Sequence, residues 1–202
     1  MNILLRLEEE KDFRETETLT REAFWDIYHP GCTEHLVLHK LRSHADFISS
    51  LDFVAVDHEK IVGNIVYSRA YILDHQMQRH EVITFGPLSV APEYQKKGIG
   101  KMLVEHTLAL ARDMGFKAVI IFGNPRYYNR FGFVNAEKYC ITTSEGLNFD
   151  AFMALELFPN SLMGISGKYF QSDVFEVGEE ELNLFERNFP FKEKHITDTQ
   201  LK

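Results

Sequence analysis

Apolar and polar positions along the chain predict a succession of short strands and helices. Residues 1–7 suit a first strand, and residues 10–28 carry apolar side chains close to helical spacing. A second helical pattern covers residues 34–47. Two short apolar runs, residues 53–56 and 61–67, enclose a polar turn, and this arrangement predicts a β-hairpin.

The middle of the chain reads as strand, glycine loop, helix and strand. Residues 82–90 form an apolar strand pattern that Gly86-Pro87 interrupts, and proline cannot donate to a ladder, so we expect a bulge or splay there. A helix begins after Gly100, and Gly115 stands where a C-terminal cap belongs. Residues 117–122 are typical of a buried parallel strand. Together they predict a right-handed βαβ unit.

Beyond residue 133 the pattern becomes mostly β. Residues 152–157 and 167–177 predict two late strands, and residues 179–189 predict a short acidic helix. The last dozen residues are polar, and we expect them to be frayed. Without repeats, low-complexity tracts or an evident linker, the sequence predicts one domain over residues 1–202.

Composition narrows the class of protein. The formal net charge of −8 argues against non-specific nucleic-acid binding and mildly favours a cationic substrate. Cys32 and Cys140 form no CxxC motif or disulfide framework, which indicates a reducing, cytoplasmic compartment. The N-terminus does not resemble a signal peptide, and no apolar stretch approaches the roughly 20 residues that span a bilayer, so we expect no membrane partner.

The main chemical signal is a glycine-rich helix start. Several backbone N–H groups lack intrahelical acceptors there, and with the helix dipole they favour phosphate oxygens. Glycine lets the backbone approach an anion without a Cβ in the way. Lysines concentrate positive charge there in an acidic chain. The residues concerned are Lys96, Lys97, Gly98, Ile99, Gly100 and Lys101.

Two common nucleotide motifs do not match this loop. The P-loop pattern requires glycine where Gln95 stands and serine or threonine where Met102 stands. The dinucleotide pattern GxGxxG requires a third glycine at Leu103. A glycine-rich helix start that binds no ligand is the alternative interpretation of the loop alone.

Two motifs in order resemble the GNAT superfamily of N-acetyltransferases. Gln95-Lys-Lys-Gly-Ile-Gly100 is similar to its [Q/R]xxGx[G/A] loop, and Tyr128-Asn-Arg-Phe-Gly-Phe133 to its Tyr-x-x-x-Gly-Phe segment. Resemblance to the YhbS-like branch continues through residues 152–157 and 164–167, so it covers most of the chain.

The resemblance implies a fold and a co-substrate. The implied fold is α/β (α+β), with a central mixed, mostly antiparallel, splayed β-sheet flanked by helices. Its cofactor-binding core would cover about residues 82–133, with a β-rich extension at about 140–190. The pyrophosphate of acetyl-CoA would bind the loop from Gln95 to Gly100. The pantetheine arm would pair with the main chain of Leu88, Ser89 and Val90.

Acetyl transfer to an amine also needs a proton donor for the leaving thiolate. A tyrosine phenol, with a pKa of about 10, suits that role at neutral pH. Tyr128 matches the family motif and is our candidate general acid. Adjacent Tyr127 is the rival donor and a candidate cofactor contact. Asn124 either hydrogen-bonds the cofactor arm or only caps the turn at Asn124-Pro125.

The sequence offers three candidates for the general base that deprotonates the amine. Glu81 lies shortly before the central strand, where the family often places a carboxylate that acts through water. A solvated charge at a strand start is an equally simple interpretation. His80 is the second candidate, and proton loss to solvent is the third.

Early histidines raise the question of a metal. His35 and His39 have i, i+4 spacing on a predicted helix. No HExxH motif or cysteine pair accompanies them, so we expect an exposed helix face and no metal. By analogy with the family, Trp25, Tyr28 and His29 shape the choice of acceptor.

The sequence therefore predicts acetyl transfer to a primary amine of a small molecule by direct attack in a ternary complex. Cys32 and Cys140 lack an activating partner, which disfavours a covalent acyl-enzyme. The alternatives are an acyl-CoA-binding sensor without turnover, or an acetyltransferase acting on a protein or peptide amine. Many members of the family pair as dimers, so a homodimer is an expectation, with no interface identified.

Overall fold

The computed structural model describes residues 2–198 and 200 of a mixed α/β fold. The helices are α1 (Phe13–Phe24), α2 (Glu34–Leu41), α3 (Ile99–Asp113), α4 (Pro125–Tyr128) and α5 (Glu179–Glu186). The strands are β1 (Ile3–Leu7), β2 (Phe53–Asp57), β3 (Lys60–Leu73), β4 (Arg79–Val90), β5 (Ala118–Phe122), β6 (Val134–Asn135), β7 (Ile141–Thr142), β8 (Phe152–Glu156) and β9 (Gly167–Phe170). None of the helices described is long and apolar enough to cross a membrane.

The chain forms two compact units, and β3, β4 and α3 contribute residues to both. The first unit comprises the described residues within Met1–Val66, Gly86–Val104 and Asp173–Lys202. In it, β1, β2 and β3 are neighbours in an antiparallel arrangement. This confirms the predicted first strand and hairpin.

Helices cover both faces of β3 in the first unit. Val66 packs with Leu38 and Leu41 of α2 in one buried cluster. Gly63 faces the other side, where a Cβ would lie 3.1 Å from Cγ2 of Ile99 in α3. The absence of a side chain at Gly63 therefore lets the first turn of α3 approach the strand closely.

Buried hydroxyls connect α1 to the same strands. Oγ of Ser89 donates to Oγ1 of Thr20 at 3.0 Å, and Thr20 donates to Oδ1 of Asn64 at 3.2 Å. All three side chains are buried. Hydrogen bonding among them offsets the cost of burying polar groups and fixes α1 against the end of β4.

The second unit comprises residues within Tyr67–Phe85 and Glu105–Ser172. Its strand order is β3-β4-β5-β8-β6, with β9 beside β3 and β7 beside β9. Strands β4 and β5 pair in parallel at Ile83 opposite Val119, whereas β5–β8 and β6–β8 are antiparallel. The largest fully buried side chains of its core include Ile72, Ile83, Ile120, Phe133 and Phe152.

The parallel pairing confirms the predicted strand–helix–strand unit. Gly115 follows α3 with φ of +86°, the left-handed conformation of a C-terminal glycine. The strand predicted over residues 82–90 is confirmed, and β4 continues through Gly86-Pro87, where we predicted a bulge or splay. Gly86 nevertheless has φ of +153°, which L side chains rarely adopt, and its bond to Pro87 is cis.

Both early helices are shorter than predicted. Helix α1 ends at Phe24 and α2 at Leu41, and locally hydrogen-bonded turns follow both helices. Asp26 takes φ of +60°, and its Oδ1 accepts a hydrogen bond from the Gly31 amide at 2.7 Å. The segment between the helices is therefore a closed loop.

The late β prediction is wrong in part. The second late strand ends at Phe170, and a 3-10 turn at Asp173–Phe175 follows it. Val174 in that turn is buried against Leu38 and Leu41. The structure also contains the short strands β6 and β7, which have too few residues for a periodic signal.

Residues 193–195 are anchored, although we predicted that the last dozen residues are frayed; of that dozen, residues 199, 201 and 202 lie outside those that the structure describes. Nε1 of Trp25 donates to the carbonyl of Glu193 at 2.9 Å, and the amide of His195 donates to Oδ2 of Asp26 at 3.1 Å. Trp25 is consequently buried, whereas in the same loop Tyr28 is exposed and His29 is half-buried.

Candidate functional site

The loop before α3 has the backbone geometry of an anion site. Lys96 and Gly98 both have positive φ, +61° and +89°. At the start of α3, the Met102 amide donates to the Gly98 carbonyl at 3.0 Å, which is the i, i+4 spacing of a helical hydrogen bond. The amides of Ile99 and Gly100 precede it, so they have no acceptor within the helix. These donors and the positive end of the helix dipole favour phosphate oxygens.

The loop is open on its outer side and fixed on its inner side. A Cβ at Gly98 would meet no atom within 4 Å, and Lys96 and Lys97 are exposed beside it. Ile99 is buried in the close approach to Gly63. A fixed helix start with an accessible glycine can receive a phosphate without reorganisation.

Side chains of two predicted cofactor residues bind protein groups. Nε2 of Gln95 donates to the Val90 carbonyl at 3.2 Å and so ties the loop to the end of β4. Ser89 is buried and bonded to Thr20. Leu88 and Val90 are half-buried. A ligand would therefore meet the main chain of this strand end rather than the Ser89 hydroxyl.

The tyrosine segment, residues 127–133, follows a capped turn at Asn124. Oδ1 of Asn124 accepts a hydrogen bond from the Arg126 amide at 2.9 Å, and its carbonyl accepts from the amides of Tyr127 and Tyr128 at 2.9 and 3.0 Å. Asn124 thus caps α4, which was one of the two roles considered for it. The cap fixes the backbone from which both candidate phenols project.

The Tyr128 ring lies in a space that Gly123 provides. Its centroid is 5.7 Å from those of Phe85 and Phe133. A Cβ at Gly123 would come within 2.5 Å of the ring carbon Cδ2 of Tyr128, closer than real Cβ contacts allow. Gly123 was not among the residues predicted for the candidate site. The available signal was a glycine directly after β5 and shortly before the tyrosine motif.

Neighbouring phenols stay protonated at neutral pH. Burial raises the pKa of Tyr127, and complete burial raises the pKa of Tyr67 well above its usual value. The Tyr67 hydroxyl lies 2.9 Å from Oγ1 of Thr107, and its ring lies 5.2 Å from that of Phe85. The Tyr67–Phe85 pair forms the buried floor beneath Tyr128.

Neither candidate base is buried. The Glu81 side chain is 60% exposed, and its Oε1 lies 3.2 Å from Nε of Arg69. Nε2 of His80 lies 2.7 Å from Oδ2 of Asp74. Both groups lie near the start of β4, and each is engaged in an ion pair or hydrogen bond with a neighbouring side chain.

The expectation of an exposed histidine face is wrong for His35. This ring is fully buried, with Nδ1 3.4 Å from Sγ of Cys32 and Nε2 2.6 Å from Oε1 of Glu186. Burial lowers the pKa of His35 to about 4, so the ring is neutral at pH 7. His39 is exposed as expected. Over residues 2–198 and 200, no cluster of three potential metal ligands occurs.

Comparison with known proteins identifies the family. The model of the acetyltransferase (GNAT) family matches residues 10–133, more than half of the chain. The chain belongs to this family. Among curated relatives, the uncharacterized N-acetyltransferase YhbS of Escherichia coli is 28% identical over 166 residues, which are 82% of this chain and 93% of YhbS. YjhQ of the same organism is 34% identical over 84 residues, 42% of this chain and 46% of YjhQ.

Solved structures of the GNAT family share the fold. The crystal structure of Escherichia coli YhbS in complex with CoA has a TM-score of 0.78 and 25% identity, covering 88% of this chain and 93% of that one. A GNAT acetyltransferase from Brucella melitensis in complex with acetyl-CoA has a TM-score of 0.69 and 25% identity, covering 86% and 98%. The predicted family and fold class, a mixed and mostly antiparallel sheet with helices, are confirmed.

Proposed function

We propose that this protein transfers the acetyl group of acetyl-CoA to the primary amine of a small molecule, by direct attack in a ternary complex. The observation that carries the proposal is the anion-binding start of α3, with Gly98 open to solvent and at φ of +89°. Membership of the GNAT family and the likeness to proteins crystallised with CoA and acetyl-CoA support the choice of ligand.

The residues present fit such a ligand. Backbone amides of Gly98, Ile99 and Gly100 would bind the pyrophosphate, and Lys96 and Lys97 would add positive charge. The main chain of Leu88–Val90 would hydrogen-bond the amide-bearing arm. Gln95 would act indirectly, since its side chain holds the loop against Val90.

The chemistry requires two proton movements. Acetyl-CoA supplies the acetyl group as a thioester. The acceptor ammonium, with a pKa of about 10, must lose a proton before its nitrogen can attack the carbonyl carbon. A C–N bond then forms and the C–S bond breaks. The Tyr128 phenol gives its proton to the departing thiolate and regains one from solvent, while the nitrogen releases its second proton.

For the first proton we propose Glu81 acting through water. Its carboxylate is exposed, so water has access to it, and Nε of Arg69 lies 3.2 Å from its Oε1. His80 is the rival base, and its partner Asp74 would compete for a proton on Nε2. If neither variant changes the rate, solvent takes the proton directly.

The test is release of CoA thiol from acetyl-CoA by the pure protein across polyamines, amino acids, aminoglycosides and peptides. We expect release that depends on a small amine. Release only with peptides would move the acceptor class to proteins. Acetyl-CoA binding without release for any amine would contradict the enzyme and favour a sensor.

A further inference from the structure

Two phenylalanine rings lie exposed side by side at the carboxyl end of β5. Phe122 is 47% exposed and Phe149 is 45% exposed. The other four residues of β5 are buried, and the sequence predicted burial for Phe122 as well. Phe122 lies on a central strand and Phe149 in the segment before β8, and exposed apolar surface of this kind can mark a binding site.

The pair is the outer layer of an aromatic stack. The rings of Phe122 and Phe149 are 5.9 Å apart with an interplanar angle of 18°. Phe122 also stacks on fully buried Phe152, at 5.1 Å and 24°. The Tyr169 ring supports Phe122 from the side at 6.1 Å. The two exposed rings therefore form an aromatic surface, the platform, that is backed by the core.

Hydrogen bonds hold the platform in place. Nδ2 of Asn135 donates to the Phe149 carbonyl at 3.0 Å, and Nδ2 of Asn148 donates to the Ile141 carbonyl at 3.1 Å. The Gly123 amide donates to the Ala151 carbonyl at 2.8 Å. The platform is thus preorganised, and a ligand would not have to order the loop around Phe149.

The platform and the candidate acid lie on opposite faces of one strand end. Phe122 packs with the face that carries Phe152, whereas a Cβ at Gly123 would point at the Tyr128 ring and lie 3.3 Å from Ile121. In direct acetyl transfer the amine attacks the carbonyl carbon and the acid protonates the sulphur. These two atoms are bonded to each other, so the amine and the phenol must reach the same C–S bond, and the two faces of the sheet meet at such a strand end.

We propose that Phe122 and Phe149 bind the apolar ring of the acceptor, so that the preferred acceptors are arylalkylamines. This inference rests on the proposed function. Ligands of open sheets bind beyond the carboxyl ends of parallel strands, and β5 is the parallel partner of β4. An aromatic platform binds the aromatic group of an acceptor by offset stacking, and its rings attract the acceptor's ammonium group by cation–π interaction.

The size of the platform favours a small ligand over a second copy of the chain. Two half-exposed phenylalanine side chains offer roughly 200 Å² of apolar surface. A stable protein interface buries about 800 Å² on each partner. One phenyl ring covers the platform, whereas a dimer would need several times its area.

The experiment is a ligand-observed NMR titration of 2-phenylethylamine and of ethylamine into the full-length protein with CoA. We expect 2-phenylethylamine to bind about tenfold more tightly. Phe122→Ser and, separately, Phe149→Ser should each remove most of that preference. Phe158→Ser is the matched control, since Phe158 is 39% exposed and outside the stack, and it should keep the preference.

Three outcomes would overturn the inference. Equal affinity for the two amines contradicts it, and so does a preference that survives both platform variants. Sedimentation that shows a dimer dissociated by Phe149→Ser would make the platform an interface between copies. Failure of the wild type to bind acetyl-CoA would instead contradict the proposed function, because the amine titration reads the platform directly.

Discussion

Glycine has different roles in the loop before α3 and beside the tyrosine segment. At Gly98 the backbone takes φ of +89° and has open space around it, so glycine serves conformation and access. At Gly123 the neighbouring Tyr128 ring occupies the place of a Cβ, so glycine serves packing. The first requirement is local to the loop, whereas the second depends on how a ring five residues later folds back.

The two segments also differ in their proposed roles, since the loop would bind acetyl-CoA and the tyrosine segment would act in the reaction. Variants of the loop should change affinity for acetyl-CoA, because we propose that its donors contact only the anion. Variants of the tyrosine segment should change turnover, because we propose that the Tyr128 phenol protonates the leaving group. The following substitutions test that separation, from the largest expected effect to the smallest.

Gly98→Asp should weaken acetyl-CoA binding by about 100-fold or more, since it places a carboxylate at the anion site and strains φ. Isothermal titration measures the effect. Gly115→Asp is the matched control at the other end of α3, because Gly115 has φ of +86° and is equally unobstructed. Equal loss of affinity in both variants would contradict the loop assignment.

Tyr128→Phe should lower kcat by about 100-fold, the usual contribution of a positioned acid. Tyr127→Phe removes a similar hydroxyl from the adjacent residue, which is not the proposed acid. It should therefore change kcat by less than about threefold. Thiol-release kinetics with the best acceptor compare the two. The reverse ranking would make Tyr127 the acid, and two harmless variants would remove the proton donor from the mechanism.

Gly123→Ala should lower kcat by roughly tenfold and reduce stability by about 1–3 kcal/mol, because the new methyl group displaces the Tyr128 ring. Thermal unfolding and thiol release are measured on one preparation. Gly178→Ala is the control, since a Cβ at Gly178 meets nothing within 4 Å. Wild-type kcat in Gly123→Ala would show that the ring position does not matter.

Glu81→Gln should lower kcat/KM by only about three- to tenfold at pH 7, because water has access to the exposed site and can replace the carboxylate. The deficit should shrink as pH rises toward the pKa of the amine, about 10, where the free base is abundant. A pH profile of kcat/KM measures this. A pH-independent deficit would argue for a structural role through Arg69.

Local signals made much of the fold predictable. The hairpin at β2 and β3, the glycine loop and the amphipathic α3 follow from short-range patterns in residues 53–113, and the structure contains all of them. The GNAT motifs allowed the family and fold class to be predicted, and the family match confirms both. Roles of individual site residues remain predictions.

Long-range packing accounts for what the sequence did not reveal. His35 is buried because Glu186, far along the chain, lies 2.6 Å from its ring. Trp25 is covered because Glu193 accepts its N–H. Gly123 matters only through Tyr128, and Phe122 is exposed although its strand pattern is apolar. No periodic pattern reports such contacts.

The most direct test of this account measures acetyl-CoA affinity and thiol release in one preparation of Tyr128→Phe. If the loop binds acetyl-CoA and Tyr128 acts only in the reaction, the Kd for acetyl-CoA should stay within about twofold of the wild type. The kcat should fall by about 100-fold. A Kd that weakens in proportion to kcat, or a kcat that does not change, would contradict it.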